Sequence, residues 1–310
     1  MEKAWLTDEL DQKPYVCNRA ELQDLINSIE VKKGMIDHYF DVHPKAKEKI
    51  CNADHRQDRF VRSAISYLEL EGAQGIDIVP SKYKTQFEKE KELEDIKKLG
   101  SYQEACEYVH NEAVSDGGYL SPEMLIRAHT MMYNNDPDKR SIVRYRFRNE
   151  EDNEIMVGQG YFAPVPGELV SPRVNYLFFN YANAWWNDHV IIKSAKFVTE
   201  YIRIQPHMDG NKRTSLMALN FILEKNGYPD IYFDKSQQTK FFNAIKKGMI
   251  ERDVTDLARM IGENTLRRCD SRIEHIRDFR IRSLGDEMKR HSALAKMVSE
   301  DECNQPGEDK

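Results

Sequence analysis

The stretch Gln205-Pro206-His207-Met208-Asp209-Gly210-Asn211-Lys212-Arg213-Thr214 stands between two apolar runs of helical spacing. Upstream, Phe197, Val198, Tyr201, Ile202 and Ile204 repeat on a helical period and stop at Pro206, while Ser215, Leu216, Met217, Leu219, Phe221, Ile222 and Leu223 open a second helix that ends at Asn226-Gly227. The chain must therefore reverse direction here. Gly210 permits a backbone conformation that side chains resist, and the first amides of the second helix would point their hydrogens at a bound anion. Lys212 and Arg213 add positive charge, and Asp209 offers a hard carboxylate oxygen suited to Mg²⁺, a metal usually held by one or two carboxylates together with substrate phosphates. The pattern reads as a phosphate-and-metal site. Asp209-Gly210-Asn211 taken alone favours an ordinary turn or an Asn-capped helix with solvated cations.

The stretch resembles the signature of the Fic/Doc family, His-x-Phe-x-(Asp/Glu)-(Gly/Ala)-Asn-(Gly/Lys)-Arg. Members of that family transfer AMP, or in the Doc branch a phosphoryl group, from a nucleotide to a protein hydroxyl. Gln205 stands where the family carries its catalytic histidine, and His207 where it carries a phenylalanine. In the mechanism that the resemblance implies, the histidine takes the proton of the target hydroxyl while metal and helix N-terminus stabilise the phosphate. A glutamine orients a nucleophile by hydrogen bonding and is no base near neutral pH. His207 is the alternative base if the loop rearranges, against a packed loop histidine.

Three further segments extend the resemblance. Arg144, Arg146 and Arg148 precede Ile155 to Pro166, which looks like the family's β-hairpin flap; Val157, Gly158, Gln159 and Gly160 would hold an extended target peptide by edge-strand hydrogen bonds. Phe241 and Phe242 start an amphipathic helix where the family places aromatic residues near the nucleoside, and Phe242 is the candidate to pack against the base, with core packing as the alternative. Ser66-Tyr67-Leu68-Glu69-Leu70-Glu71-Gly72 resembles the family's inhibitory helix, with Glu71 as its restraining glutamate. Its register is imperfect, and Leu216 replaces the second motif arginine, so Glu71 would have to pair with Arg213 or Lys212, or else be a solvated helix-end carboxylate. Asn211-Lys212-Arg213 itself is closer to the Doc branch.

Composition bounds the rest. With 310 residues, 40% of them hydrophobic, the chain can bury a sizeable core, and 32% charged residues with a mean hydropathy of -0.71 indicate no membrane span. A net charge of -6 gives no global reason to expect nucleic acid. Cys17, Cys51, Cys106, Cys269 and Cys303 are scattered and odd in number, and Met1 to Leu6 lack a signal-peptide core, so free thiols in the cytoplasm are expected. Helices are expected at about 19–39 and 46–72, then at 83–99 up to Gly100, at 102–114, and from Ser121-Pro122 through Leu125, His129, Met132 and Tyr133, where His129 reads as a packed residue. Phe178, Phe179, Tyr181, Trp185 and Trp186 are expected to pack a helix onto the motif helices, and a charged helix and frayed tail to follow Cys269.

The expected protein is therefore all-α with a small hairpin flap: a helical extension at 1–55, a Fic-like domain at 56–265 with the inhibitory element at 60–72, and a charged helix and tail at 266–310. The resemblance implies Mg²⁺-dependent transfer of AMP from ATP to a hydroxyl of a protein, or of the chain itself, with Asp209 on the metal and Gly210, Asn211, Lys212 and Arg213 around the phosphates. A Doc-like kinase and an inactive nucleotide-binding protein are the alternatives. Self-association is left open.

Overall fold

The computed structural model describes residues 13–55, 86–134, 146–149, 151–152 and 164–303. Glu71 and the flap residues Val157, Gly158, Gln159 and Gly160 lie outside the described residues. Among those described, the elements are α1 (Arg19–Val42), α2 (Pro44–His55), α3 (Gln86–Val114), α4 (Pro122–Met132), α5 (Gly167–Phe179) with a π-helical turn (Asn180–Ala184), α6 (Val190–Ile204), α7 (Asn211–Lys225), a 3₁₀ turn (Lys235–Gln237), α8 (Gln238–Glu251) and α9 (Thr255–Cys303). The fold is all-α. Among the described residues the β-pairing is one isolated parallel bridge, Val16 to Asp253, and no helix is long and apolar enough to cross a membrane.

Helix α6 is the axis of the molecule. Every residue from Val190 to Ile204 except Lys193 is buried, so this helix is covered on all sides. Helix α7 lies along it, α3 and α4 cover α7, and α5, α8 and α9 close the remaining faces. Phe197, Tyr201 and Ile204 of α6 meet Leu219, Phe221 and Leu223 of α7 in one continuous core that also takes in Leu125 and Met132 of α4. Full burial of each such side chain contributes about 1.5–3 kcal/mol. Helix α1 runs along α9: Leu22 and Ile29 join the main core, and Ile36 and Phe40 form a smaller one with Ile50, Cys269 and Ile276.

Several boundaries differ from the sequence expectation. Helix α3 passes through Gly100 unbroken, because Ser101, Tyr102 and Ala105 on its far side are buried, and their packing outweighs the cost of about 1 kcal/mol for one helical glycine. Helix α7 starts at Asn211 rather than Ser215, which makes Asn211, Lys212 and Arg213 its first turn. Its other end is a Schellman cap: Gly227 has φ +80° and donates to Glu224 O at 2.9 Å, and Tyr228 N–H donates to Leu223 O at 3.0 Å. The expected boundary at 265 and 266 falls inside the 49-residue α9. In the aromatic cluster, Phe178 and Tyr181 pack edge-on against Phe197 and Trp185 packs against Tyr15, but Phe179 and Trp186 are exposed. The π-helical turn resets the helical phase after Phe179, so the run 178–186 no longer keeps one buried face.

A buried carboxylate on α6 is paired within this core. Glu200 on α6 accepts from Tyr15 Oη at 2.5 Å, from Arg252 Nη1 at 2.9 Å and from Arg203 Nε at 3.0 Å, and Arg252 also donates to Lys13 O at 3.1 Å and lies 3.8 Å over the Tyr15 ring. Burial alone would raise the carboxyl pKa, but Arg203, Arg252 and Tyr15 together hold it down to about 2. A carboxyl so depressed stabilises the fold above its unfolded value, and that contribution is lost as pH falls through about 2. Glu200→Gln leaves two buried guanidinium groups without their anion. It should cost about 3–5 kcal/mol at neutral pH and flatten the acid limb of stability against pH, read by urea denaturation from pH 7 to 2; an unchanged midpoint and slope would contradict the pairing.

Candidate functional site

The chain passes from α6 to α7 through Gln205 to Gly210, with a left-handed residue at each end: Gln205 at φ 53° and Gly210 at φ 77°. The second is the less negotiable, because a Cβ on Gly210 would lie 2.7 Å from Tyr133 Oη. Gln205 closes α6 by donating its backbone N–H to Tyr201 O at 3.1 Å. Its side-chain Nε2 donates to Ile202 O at 2.6 Å, and its Oε1 accepts from Asn211 Nδ2 at 2.7 Å. Asn211 also bonds His207 twice, accepting from its N–H at 2.8 Å and donating to its C=O at 2.8 Å. Both amide orientations follow from these backbone partners, since a carbonyl must face the NH₂ and an N–H must face the oxygen. From outside the turn, Arg148 donates its Nε to Gln205 O at 2.8 Å and its Nη2 to Val165 O at 2.7 Å, while its backbone N–H reaches Pro206 O at 2.7 Å.

His207 is buried behind the turn. Its Nε2 lies 2.9 Å from Tyr201 Oη, and its ring stacks on His129 of α4 at 3.6 Å with the planes 2° apart. Burial pushes the His207 pKa well below the usual histidine value, with the positive charge of a protonated His129 and of Arg148 adding to that. Burial likewise pushes His129 down to about 4. Both rings are therefore neutral at neutral pH. The His129 Nε2 lies 2.8 Å from Asp209 O, an acceptor, so the proton of the neutral ring sits on Nε2.

The solvent side of the turn carries the charges. Asp209 Oδ1 accepts from Gly210 N–H at 2.7 Å and lies 3.4 Å from Arg213 Nη2, with about a third of the Asp209 side chain exposed. Arg213 is buried between aromatic rings, 5.1 Å from Tyr102 and 5.2 Å from Tyr133, and donates to Tyr133 Oη at 2.7 Å. Lys212 points the other way and lies 4.6 Å over Phe242. Phe241 is core, packed on Phe233 at 5.0 Å, whereas Phe242 is partly buried at the edge.

The structure thus gathers Gln205, His207, Asp209, Gly210, Asn211 and Arg213 into one turn and brings Phe242 beside Lys212 from α8. Leu216 is buried in the core. Sequence reasoning missed Arg148, Tyr102 and Tyr133 as parts of this site and gave His129 no tie to it. The available signal was the i, i+4 pair His129 and Tyr133 on an otherwise apolar helix face, two polar rings where packing alone asks for none. Gly210→Ala should lower stability by about 2 kcal/mol or more, from the left-handed φ and the clash with Tyr133. Gly34→Ala, on an exposed face of α1 with nothing near its Cβ position, should instead add up to about 1 kcal/mol. Denaturation midpoints of the two variants moving the same way would contradict this account of the turn.

A family model described as the Fic/DOC family matches residues 119–223, from the approach to α4 to the end of the motif helix. Curated relatives include the protein adenylyltransferases Fic of Drosophila sechellia and Drosophila melanogaster, each 29% identical over 124 residues, which is 38% of this chain and 24% of theirs. The chain spans about a quarter of the length of these relatives. Among solved structures, a Fic domain containing signaling protein from Bacteroides thetaiotaomicron superposes with a TM-score of 0.62 at 14% identity, over 82% of this chain and 97% of that one. Fic-1 from C. elegans, in its E274G form, gives 0.64 at 12% identity, over 84% and 74%. The family match covers the motif turn and the helices that brace it: residues 119–223 resemble the Fic/DOC family, and the helical fold is similar to that of Fic-domain structures.

Proposed function

We propose that the turn binds Mg²⁺-ATP and that the protein transfers AMP to a hydroxyl of a protein substrate or of itself. The observation that carries this reading is the start of α7, whose first turn sets Arg213 3.4 Å from a partly exposed Asp209 carboxylate and Lys212 over the ring of Phe242. First-turn amides have no intrahelical partner and the helix dipole favours an anion there. One exposed hard oxygen beside a phosphate cradle suits a Mg²⁺ that takes its other ligands from substrate phosphates and water. Asp209 would hold that metal, which when bound would offset charge on the phosphates. Gly210, Asn211, Lys212 and Arg213 would cradle the phosphates, and Phe242 would flank the nucleoside once Lys212 leaves its ring for the phosphates.

Gln205 would orient the attacking hydroxyl with the N–H and lone pair left over from its bonds to Ile202 O and Asn211 Nδ2. His207 would act as base only by leaving Tyr201 and its stack on His129. In this reading the flap at Val157 to Gly160 docks the target segment, and Glu71 restrains the phosphate cations. Cys17 and Cys269 are free thiols, which supports a reducing cytoplasm as the place of work. The name of the Drosophila relatives supports adenylyl transfer; Asn211-Lys212-Arg213 favours phosphoryl transfer as the second reading.

Intact-mass analysis after incubation with Mg²⁺-ATP separates the readings: an AMP adduct is expected, a phosphate adduct would select the kinase, and no adduct on the chain or on lysate proteins would leave a nucleotide-binding protein without transfer. If the absence of a base limits the rate, Gln205→His should raise adduct formation about 10²- to 10⁴-fold, and His207→Ala should change it little. The reverse pattern, activity lost with His207→Ala and nothing gained with Gln205→His, would move the base to His207.

A further inference from the structure

Helix α4 grips the motif turn at two points one helical turn apart. His129 donates from Nε2 to the backbone carbonyl of Asp209 at 2.8 Å, and Tyr133 Oη accepts from Arg213 Nη2 at 2.7 Å. The same Tyr133 hydroxyl fills the space that a Cβ on Gly210 would need. The two rings contact each other as well, with centroids 5.2 Å apart. Asp209, Gly210 and Arg213 are thus held from outside their own loop by side chains that lie far away in sequence.

His129 is an uneconomical choice for packing alone. It is 2% exposed, and its Nδ1 has no hydrogen-bond partner, an arrangement that costs about 1–3 kcal/mol for the unsatisfied group. A phenylalanine would fill the same flat slot against His207 without that cost. What the imidazole adds is the single N–H aimed at Asp209 O. A carbonyl fixed on one side of a residue leaves its Cα–Cβ bond a narrow range of directions, so the bond sets where the Asp209 carboxylate is presented.

We propose that His129 is a positioning residue: its bond to the Asp209 carbonyl, seconded by Tyr133 on Arg213, orients the Asp209 carboxylate for the metal of a bound metal–nucleotide. The metal half of this inference rests on the nucleotide-binding reading above; the clamp itself does not.

The test uses the full chain, with His129→Phe, which keeps a flat ring against His207 and removes the donor, and His129→Gln, which restores an N–H of similar reach. In the ligand-free protein, amide hydrogen exchange at 207–214 should rise about tenfold in His129→Phe, the effect of one lost buried hydrogen bond, and return toward the parent in His129→Gln. In calorimetric titrations, Mg²⁺-ATP affinity should fall about tenfold in His129→Phe, while affinity for ATP in EDTA is unchanged, and His129→Gln should recover the loss. Should His129→Phe fail to fold by thermal melting, Tyr133→Phe is read in the same two assays, with faster exchange at 210–214 expected. Unchanged exchange in the variants overturns the clamp. Faster exchange with equal loss of Mg²⁺-ATP and metal-free ATP affinity, or with no loss at all, overturns the metal-orienting role. A parent chain that binds no ATP overturns the nucleotide reading and the metal half together, and the exchange experiment then decides the clamp alone.

Discussion

The reversal from α6 to α7 buries its inner side against the core, and the structure is arranged around meeting that constraint. A chain that turns where water cannot reach must find partners within the protein for each backbone N–H and C=O it exposes. Here the carbonyls of Ile202, Gln205, Pro206, His207 and Asp209 are taken by Gln205, Arg148, Asn211 and His129. Two left-handed residues, Gln205 and Gly210, supply the bends. A turn over-determined in this way keeps one shape, and a fixed shape is what a site needs if its dipoles are to be aimed before the ligand arrives.

The charge balance follows from the same arrangement. Arg148 braces the turn from one side, Arg213 lies between Tyr102 and Tyr133 on the other, and Lys212 stands at the rim. Against these cations the turn sets Asp209 alone, with two histidines kept neutral by burial. The start of α7 adds the positive end of a helix dipole. The local field therefore favours a polyanion although the whole chain carries a net charge of -6, and it is maintained by a scaffold whose own buried charge, Glu200, is neutralised within the core by Arg203 and Arg252.

The all-α class, the two helices around the motif and the capped start of α4 were legible because each rests on a local signal: apolar period, Pro206, and Ser121-Pro122 with the Ser121 hydroxyl accepting from Met124 N–H. Asp209, Gly210, Asn211 and Arg213 were legible as a group because they are consecutive. What escaped the sequence depends on packing between distant segments. Nothing near Arg148 says that its guanidinium will cap carbonyls at 204–205 and 165, and nothing near His129 says that it will stack on a histidine 78 positions later. The Gly100 break and the burial of Phe179 and Trp186 were misjudged for the opposite reason: local composition pointed one way, while tertiary cover of α3, the outward face of α5 at Phe179 and, for Trp186, a phase shift in the π-helical turn decided the other.

Under the proposed function, holding a turn and assisting a reaction would compete for one side chain, that of Gln205. The turn asks this position for one donor, to Ile202 O, and one acceptor, for Asn211 Nδ2. A neutral imidazole has one of each and would have none left for a substrate. A glutamine amide has two N–H groups and two lone pairs on its oxygen, so after both structural bonds one of each remains. Gln205 can therefore keep the turn closed and still orient a hydroxyl, at the expense of being unable to accept its proton. An imidazole at the same position would have to give up one of the two turn bonds before it could act as a base. In the reading proposed here, that trade sets a rigid site with slow chemistry against a looser site with faster chemistry, and this chain carries the residue that favours rigidity.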